Sequence, residues 1–400
     1  MPEGIQNPKR SGGARGGSVY IKSMTVSGLF GKKMSQRHEF DKDFVIITGL
    51  NGSGKTTILK LLWYVVSGNI TQALQEIDFS SITVETDVYK INLVKIRDDT
   101  CRAEISDSSG EYILEDHRGD DGDIDLDARD AVRDYITDKG GSLFFPTFRR
   151  IEGGFSTEKK RAGSAFEQSL LFNTARSKNE LQEALLKISR ELSSKKHTFV
   201  TSISTVDVSE LLLNQYTAMS ELANSTQREM SQAVVDNIRQ FNQSTSTSDD
   251  EELVHLRRLL QDTVNKIEHA EAEREKILLP LQAVQDLATK IFRHSGIKIS
   301  NRITFGQAAN AINSDSLSAG EKQMLSFICY NAFNQNSVVF IDEPELSLHV
   351  DWQRTLFPTL QSQGQSNQFI IATHSPFIYS KFPDKEIKLA DLRGDEQVDL

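Results

Sequence analysis

The sequence predicts an α/β fold, and three features carry that expectation. An apolar strand runs into a glycine-rich turn and a helix at residues 44–66, a second apolar strand ends in two acids at residues 338–343, and glycine is absent from residues 177–291 between them. Apolar runs of strand length beside residues spaced at three and four are the marks of alternating strands and helices.

In chain order, residues 1–18 are glycine-rich and lack an apolar segment, so they read as a flexible tail and not as a signal peptide. Residues 19–48 contain "VYIKSMTVSGLF" and "FVIITG", two stretches with strand character. The second leads directly into "GLNGSGKTT" at residues 49–57, which fits G-x-x-x-x-G-K-[ST], and the text that follows, "ILKLLWYVV", is apolar at helical spacing. Such a loop turns successive backbone N–H groups inward around phosphates at a helix N-terminus. The phosphate-binding set is therefore Asn51, Gly52, Ser53, Gly54, Lys55, Thr56 and Thr57, with Lys55 reaching the β- and γ-phosphates of ATP and Thr56 offering a hydroxyl to Mg²⁺.

Residues 78–115 alternate apolar and polar side chains between turn signals, which predicts an antiparallel meander. The acidic text "EDHRGDDGDIDLDARD" lacks the glycine and closing glutamate of a calcium loop at the right offsets and reads as a solvated loop. "SLFFPTFRRIEGG", residues 142–154, is a strand running into a proline turn and two arginines, Arg149 and Arg150, for which phosphate, nucleic acid, a partner or a surface salt bridge are all open.

Residues 177–292 read as an inserted helical arm. In "ELVHLRRLLQDTVNKIEHAEAEREKI" the residues Leu253, Leu256, Leu260, Val264 and Ile267 form one stripe, and the polar break at 242–250 suggests a hairpin. Helices of ~40 residues at 1.5 Å per residue reach ~60 Å. Pro280 is placed to kink the second of them. The chain then divides into a tail (1–18), an N-terminal head part (19–176), the arm (177–292) and a C-terminal head part (293–400).

In "SLSAGEKQML", Ser318 and Glu321 make an S-x-x-E capping box, so a helix starts there and its N-terminus, with the Gly320 N–H, favours anions. "VVFIDE" ends in Asp342, placed to hold the Mg²⁺ shell, and Glu343, placed to polarise an attacking water.

Together these motifs resemble ABC-class ATPases. "LSAGEKQ" is similar to their signature, "IDEPELSLHVDWQ" to their Walker B and D-loop, and "IIATHSP" to their switch-histidine strand, in the same order along the chain. The resemblance covers about 19–75 and 300–380, and no Q-loop glutamine can be placed. It implies a P-loop NTPase of the ABC-type head, with an antiparallel β subdomain and an inserted helical-hairpin, coiled-coil-like arm. It further implies that two heads sandwich two ATP molecules, with Ser318 and Gly320 contacting the γ-phosphate in trans and His374 supporting it in cis.

Gly54 and Leu317 stand 263 positions apart, unlike the compact ATPase of a transporter, so the head resembles the SMC, RecF and OLD-like branch. No C-x-x-C is available for a zinc hook. "EPELSLH", "ATHSP" and "FPTFRRIE" are most similar to OLD-type anti-phage ATPases such as those of PARIS and Septu. Because 26 residues follow His374, a TOPRIM or HNH nuclease is expected on a separate chain. Three functions stay open: a sensor and scaffold that controls such an effector on a phage protein trigger, a RecF- or SMC-like ATPase that clamps DNA, and a module that binds ATP and barely turns it over. In each the chain is at least a homodimer.

Composition fits a globular chain, with 38% apolar and 26% charged residues. Its net charge of −10 disfavours nonspecific coating of nucleic acid. No apolar run approaches the ~20 residues of a membrane helix, so a cytoplasmic location is expected. Cys101 and Cys329 exclude a disulfide framework and read as buried thiols.

Overall fold

A computed structural model describes residues 19–389, apart from 33, 119–123, 148–149, 152–182, 186, 204, 244–248 and 295–317. The chain forms two units, one of Met1–Ser204, Ser318–Met324 and Asn334–Leu400, the other of Thr205–Leu317 and Leu325–Phe333.

The first unit contains two six-stranded sheets. One is antiparallel, in the order β2-β1-β4-β5-β6-β7, with β1 at Ile21–Ser27, β2 at Ser35–Glu39, β4 at Ser81–Thr86, β5 at Tyr89–Lys95, β6 at Cys101–Asp107 and β7 at Gly110–Glu115. The strands β4 to β7 are the expected meander. Inward residues such as Ile82, Val84, Ile91, Leu93, Ala103 and Ile105 are buried, while their chain neighbours reach water, as the pleat requires. The strand β2, "SQRHE", is an addition to the sequence reading: it carries no apolar residue and pairs with β1 alone, at the sheet edge.

The other sheet runs β12-β10-β14-β15-β3-β16, and every pairing in it is parallel. Its strands are β3 (Phe44–Thr48), β10 (Gly141–Phe145), β12 (His197–Phe199), β14 (Ser337–Asp342), β15 (Gln368–Ala372) and β16 (Glu386–Lys388). All residues of β3, β14 and β15 are buried, which is why they read as unbroken apolar runs. Helix α1 (Lys55–Val66) packs on this sheet through Trp63, whose ring lies 5.2 Å from both Phe144 and Phe199. Trp63 Nε1 donates to Ser142 Oγ at 3.0 Å, and Ser142 Oγ bonds His197 Nδ1 at 2.8 Å.

The strand β12 corrects the expected arm boundary. Residues 183–185 and 187–192 are helical, but His197–Phe199 then pairs with β10 inside the stretch assigned to the arm. Stacking of Phe199 on Phe144 (5.4 Å, interplanar angle 6°) holds that short strand in place. Beyond it, the two-residue strands β11 (Arg150–Ile151) and β13 (Ser202–Ile203) form a parallel ribbon. Arg149 and the side chain of Arg150 lie outside the described residues. The short helix α2 (Ile70–Glu76) follows α1, and the acidic stretch, read as a loop, holds the antiparallel pair β8 (His117–Arg118) and β9 (Ile124–Leu126). Asp127 then caps α3 (Ala128–Ile136), accepting from the N–H groups of Arg129 and Asp130, and Asp116 accepts from the Cys101 and Ala128 N–H groups.

The second unit holds a helical hairpin of α4 (Thr205–Gln243) and α5 (Asp249–His294), of 39 and 46 residues. Asn237 Nδ2 donates to Thr263 Oγ1 at 3.2 Å across the pair. The expected apolar stripe is met only in part: Ile267 is half-buried, Leu260 is 57% exposed and Val264 46% exposed, while the side chains of Leu253 and Leu256 lie outside the described residues. The helix α5 runs through Pro280. Among the described residues no helix is long and apolar enough to cross a membrane. Both cysteines are free and buried.

Candidate nucleotide site

Parallel sheets bind ligands at the carboxyl ends of their strands. Here β3, β14, β15 and β10 end together, and each contributes. The register aligns Asp342 with Ala372, Glu343 N donates to Ala372 O at 2.8 Å, and Thr373 N donates to Ile47 O at 3.1 Å.

The loop after β3 is shaped for phosphates. Gly49 has φ +154°, and a Cβ there would lie 2.7 Å from Ser53 Oγ, so only glycine fits. Ser53 is buried and its hydroxyl has no partner, while Asn51 and Gly52 are exposed at the crest. Gly54 caps α1 at φ 91°, which leaves the first N–H groups of the helix, Lys55, Thr56 and Thr57, at the mouth of the loop. The Lys55 ammonium donates to the carbonyls of Gly49 and Leu50 at 3.1 and 3.0 Å. Burial pulls it below the usual lysine range, and the carboxylates of Glu343, Asp342 and Glu345 act in the opposite direction. An orphaned buried hydroxyl, a cradle that a Cβ would fill and a buried ammonium fit a polyphosphate.

Thr56 Oγ1 donates to Asp342 Oδ1 at 3.1 Å across a sequence separation of 286. Thr147, at the end of β10, donates its hydroxyl to the other oxygen of Asp342. A hydroxyl and a carboxylate beside the loop suit the hard, oxygen-seeking Mg²⁺. Glu343 has φ +47°, a conformation that costs a side-chain-bearing residue on the order of 1 kcal/mol. This turn breaks strand alternation immediately after Asp342. Glu343 Oε1 lies 4.0 Å from His374 Nε2. Burial, with Asp342 and Glu345 nearby, raises the Glu343 carboxyl above its ordinary range.

Two residues without a sequence-derived role fix the switch strand. Glu345 accepts from Thr373 Oγ1 and from His374 N, both at 2.7 Å. Gln353, on α7 (Val350–Gln361), donates to Leu348 O at 2.8 Å and accepts from Ser375 Oγ at 2.6 Å. Both lie inside the quoted acidic motif, but only the folded turn shows what they reach. Thr147 lies inside the quoted "FPTFRRIE" segment, where it was given no role.

Ser318 and Gly320 sit at the start of α6 (Ala319–Phe333). The capping box is formed: Ser318 N donates to Glu321 Oε2 at 2.8 Å, and Glu321 N donates to Ser318 Oγ at 3.3 Å. Gly320 packs so closely that a Cβ would lie 2.3 Å from Ser347 O, and Gln323 Nε2 donates to Pro344 O at 3.1 Å. The contacts of the signature helix start therefore run to the turn after β14, within the same chain.

The phosphate loop after β3, the Asp342–Glu343 end of β14, His374 after β15 and the capped start of α6 together make an α/β head of the P-loop ATPase class. More particularly, the chain belongs to the family described as "AAA domain, putative AbiEii toxin, Type IV TA system", which matches residues 44–380. It is similar to the Retron Vc95 probable ATPase of Vibrio cholerae serotype O1 biovar El Tor, at 27% identity over 135 residues, 29% of this chain and 26% of that protein. It is also similar to the Retron Ec83 probable ATPase of Escherichia coli, at 37% identity over 86 residues, 18% of this chain and 16% of that protein. The chain thus spans about a quarter or less of the curated relatives it matches. Among solved structures it is similar to the Smc head domain with an extended coiled coil bound to the C-terminal domain of ScpA from Pyrococcus furiosus, at a TM-score of 0.38 and 13% identity, covering 93% of this chain and 94% of that one. A Smc head domain with a coiled coil and joint from Pyrococcus yayanosii gives a TM-score of 0.37 at 13% identity, covering 93% and 96%.

Proposed function

We propose that the chain binds Mg·ATP at residues 49–57, hydrolyses it with Glu343 as the base, and works as a homodimer or higher homo-oligomer whose cycle controls a separate effector in anti-phage defence. The observation that carries the nucleotide part is the Thr56–Asp342 contact beside a lysine held on the loop carbonyls. Lys55 exchanges those carbonyls for the β- and γ-phosphates, and Thr56 with Asp342 holds the metal end. Bound Mg²⁺ supplies charge neutralisation at the phosphate oxygens. Glu343 takes the proton of the attacking water, and His374, 4.0 Å from it, supports the γ-phosphate side.

The defence part rests on the family description, which names a toxin of a type IV system, and on two relatives named as retron ATPases. Kinship to PARIS or Septu ATPases, a TOPRIM or HNH nuclease as effector, a phage protein as trigger and a cytoplasmic place belong to the same proposal. Closure of two heads on ATP, completed by Ser318 and Gly320 of the opposite copy, would move the α4–α5 hairpin and so hold or release the effector.

The test is purification of the chain alone and with the product of its neighbouring gene, with and without ATP. The proposal expects ATP-dependent self-association, lost in Lys55→Ala, and nucleotide-dependent binding of the neighbour. Failure to bind that protein in either state would overturn the effector reading, and stoichiometric, salt-sensitive DNA binding in its place would favour a DNA clamp.

A further inference from the structure

Asp342 is almost wholly buried at 1% exposure, and its two oxygens receive hydroxyls from opposite sides. Thr56 comes from α1 and reaches Oδ1; Thr147 comes from the end of β10 and reaches Oδ2. A carboxylate gripped on both oxygens cannot rotate, and hydrogen bonds to charged groups are among the stronger ones in a protein. The position of Thr147 is itself fixed. It stands two residues after Phe145, which pairs with Ile341 one residue before Asp342, and only Phe148 and Arg149 separate it from Arg150 of the β11–β13 ribbon. The partner strand of that ribbon, Ser202–Ile203, leads through Ser204 alone into α4.

We infer that Thr147 is a positioning residue for the metal end of the nucleotide site, and that it ties the state of Asp342 to the β11–β13 ribbon. The inference rests on the Mg·ATP reading above. The hydroxyl of Thr147 sets the rotation of the Asp342 carboxylate so that Oδ1 faces Thr56. Any change in what Asp342 holds is then transmitted to the segment that Thr147 begins.

The test compares the parent, Thr147→Val, which keeps the branched shape without the hydroxyl, and Thr147→Ser, which restores the hydroxyl. Binding of the non-hydrolysable analogue AMP-PNP is measured by calorimetry in Mg²⁺ and in EDTA. Hydrogen exchange is followed at residues 150–151 and 202–203 in both conditions. The expected result is a fall of roughly tenfold in the Mg²⁺-dependent gain in affinity for Thr147→Val, the loss of one hydrogen bond to a charged group. Its EDTA affinity should equal the parent's, Mg²⁺ should no longer change exchange at the ribbon, and Thr147→Ser should behave as the parent. An unchanged Mg²⁺ gain in Thr147→Val, or an equal loss in EDTA, would overturn the inference while leaving the ATP site standing. A parent that binds AMP-PNP in neither condition would remove the ATP reading itself, and this inference with it.

Discussion

Glu345 holds His374 by its main chain, one carboxylate oxygen accepting the His374 N–H at 2.7 Å while the other accepts the Thr373 hydroxyl at 2.7 Å. Replacing Glu345 with Gln keeps an acceptor oxygen for the His374 N–H but puts a donor opposite the Thr373 hydroxyl, so that hydroxyl must turn from donor to acceptor and both contacts lose their charge assistance. We expect Glu345→Gln to bind ATP like the parent and to hydrolyse it roughly tenfold more slowly, as both contacts lose their charge assistance. Steady-state kinetics beside calorimetry checks this, since a parental kcat would show that the grip on the switch strand is dispensable.

Gly320 offers a second test, because a methyl group there would meet Ser347 O at 2.3 Å. Backbone has to move to admit it, and overpacking of this kind costs about 1–3 kcal/mol. Gly320→Ala should therefore lower the melting temperature of the nucleotide-free protein. If Gly320 served only a phosphate in a neighbouring copy, that temperature would not change.

Acid sensitivity follows from His197. Burial, with Lys196 nearby, lowers its pKa to about 4 from an ordinary 6.5. The unfolded chain takes up a proton below 6.5 that the folded chain refuses until about 4, so this contribution is present above 6.5 and is lost as pH falls between those values. The full loss is roughly 3 kcal/mol. Denaturant titrations at pH 7.5 and pH 4.5 (about neutral and about acidic relative to that window) should show a smaller acid-induced loss in His197→Asn than in the parent. Equal losses in the two proteins would contradict this.

Legibility in the sequence followed burial. The strands β3, β14 and β15 are covered on both faces and spell themselves out as apolar runs, and β4 to β7 alternate because one face is covered. The strand β12 escapes notice because three residues, "HTF", are too few to set a period, and only Phe144 against Phe199 gives it a place. The strand β2 has no apolar residue to read. In the arm, spacing at steps of three and four named Leu260, Val264 and Ile267, of which Ile267 is half-buried while Leu260 and Val264 are exposed, and the Asn237–Thr263 pair bridges the two helices, because which faces meet is not set by hydrophobicity alone. At the site, motif residues are local text, so Lys55, Thr56 and Asp342 could be named from their neighbours. Thr147 and Glu345 act by what they touch across the fold, and spacing alone carries no record of that.

We propose that Glu343 removes the proton from water at an ATP site built by Lys55, Thr56 and Asp342. The most direct measurement is a single-turnover assay of Mg·ATP on Glu343→Gln beside the parent, with ATP affinity determined on the same samples. Parental affinity with hydrolysis at least about tenfold slower is expected, the share a positioned base supplies. Parental turnover in Glu343→Gln would contradict it.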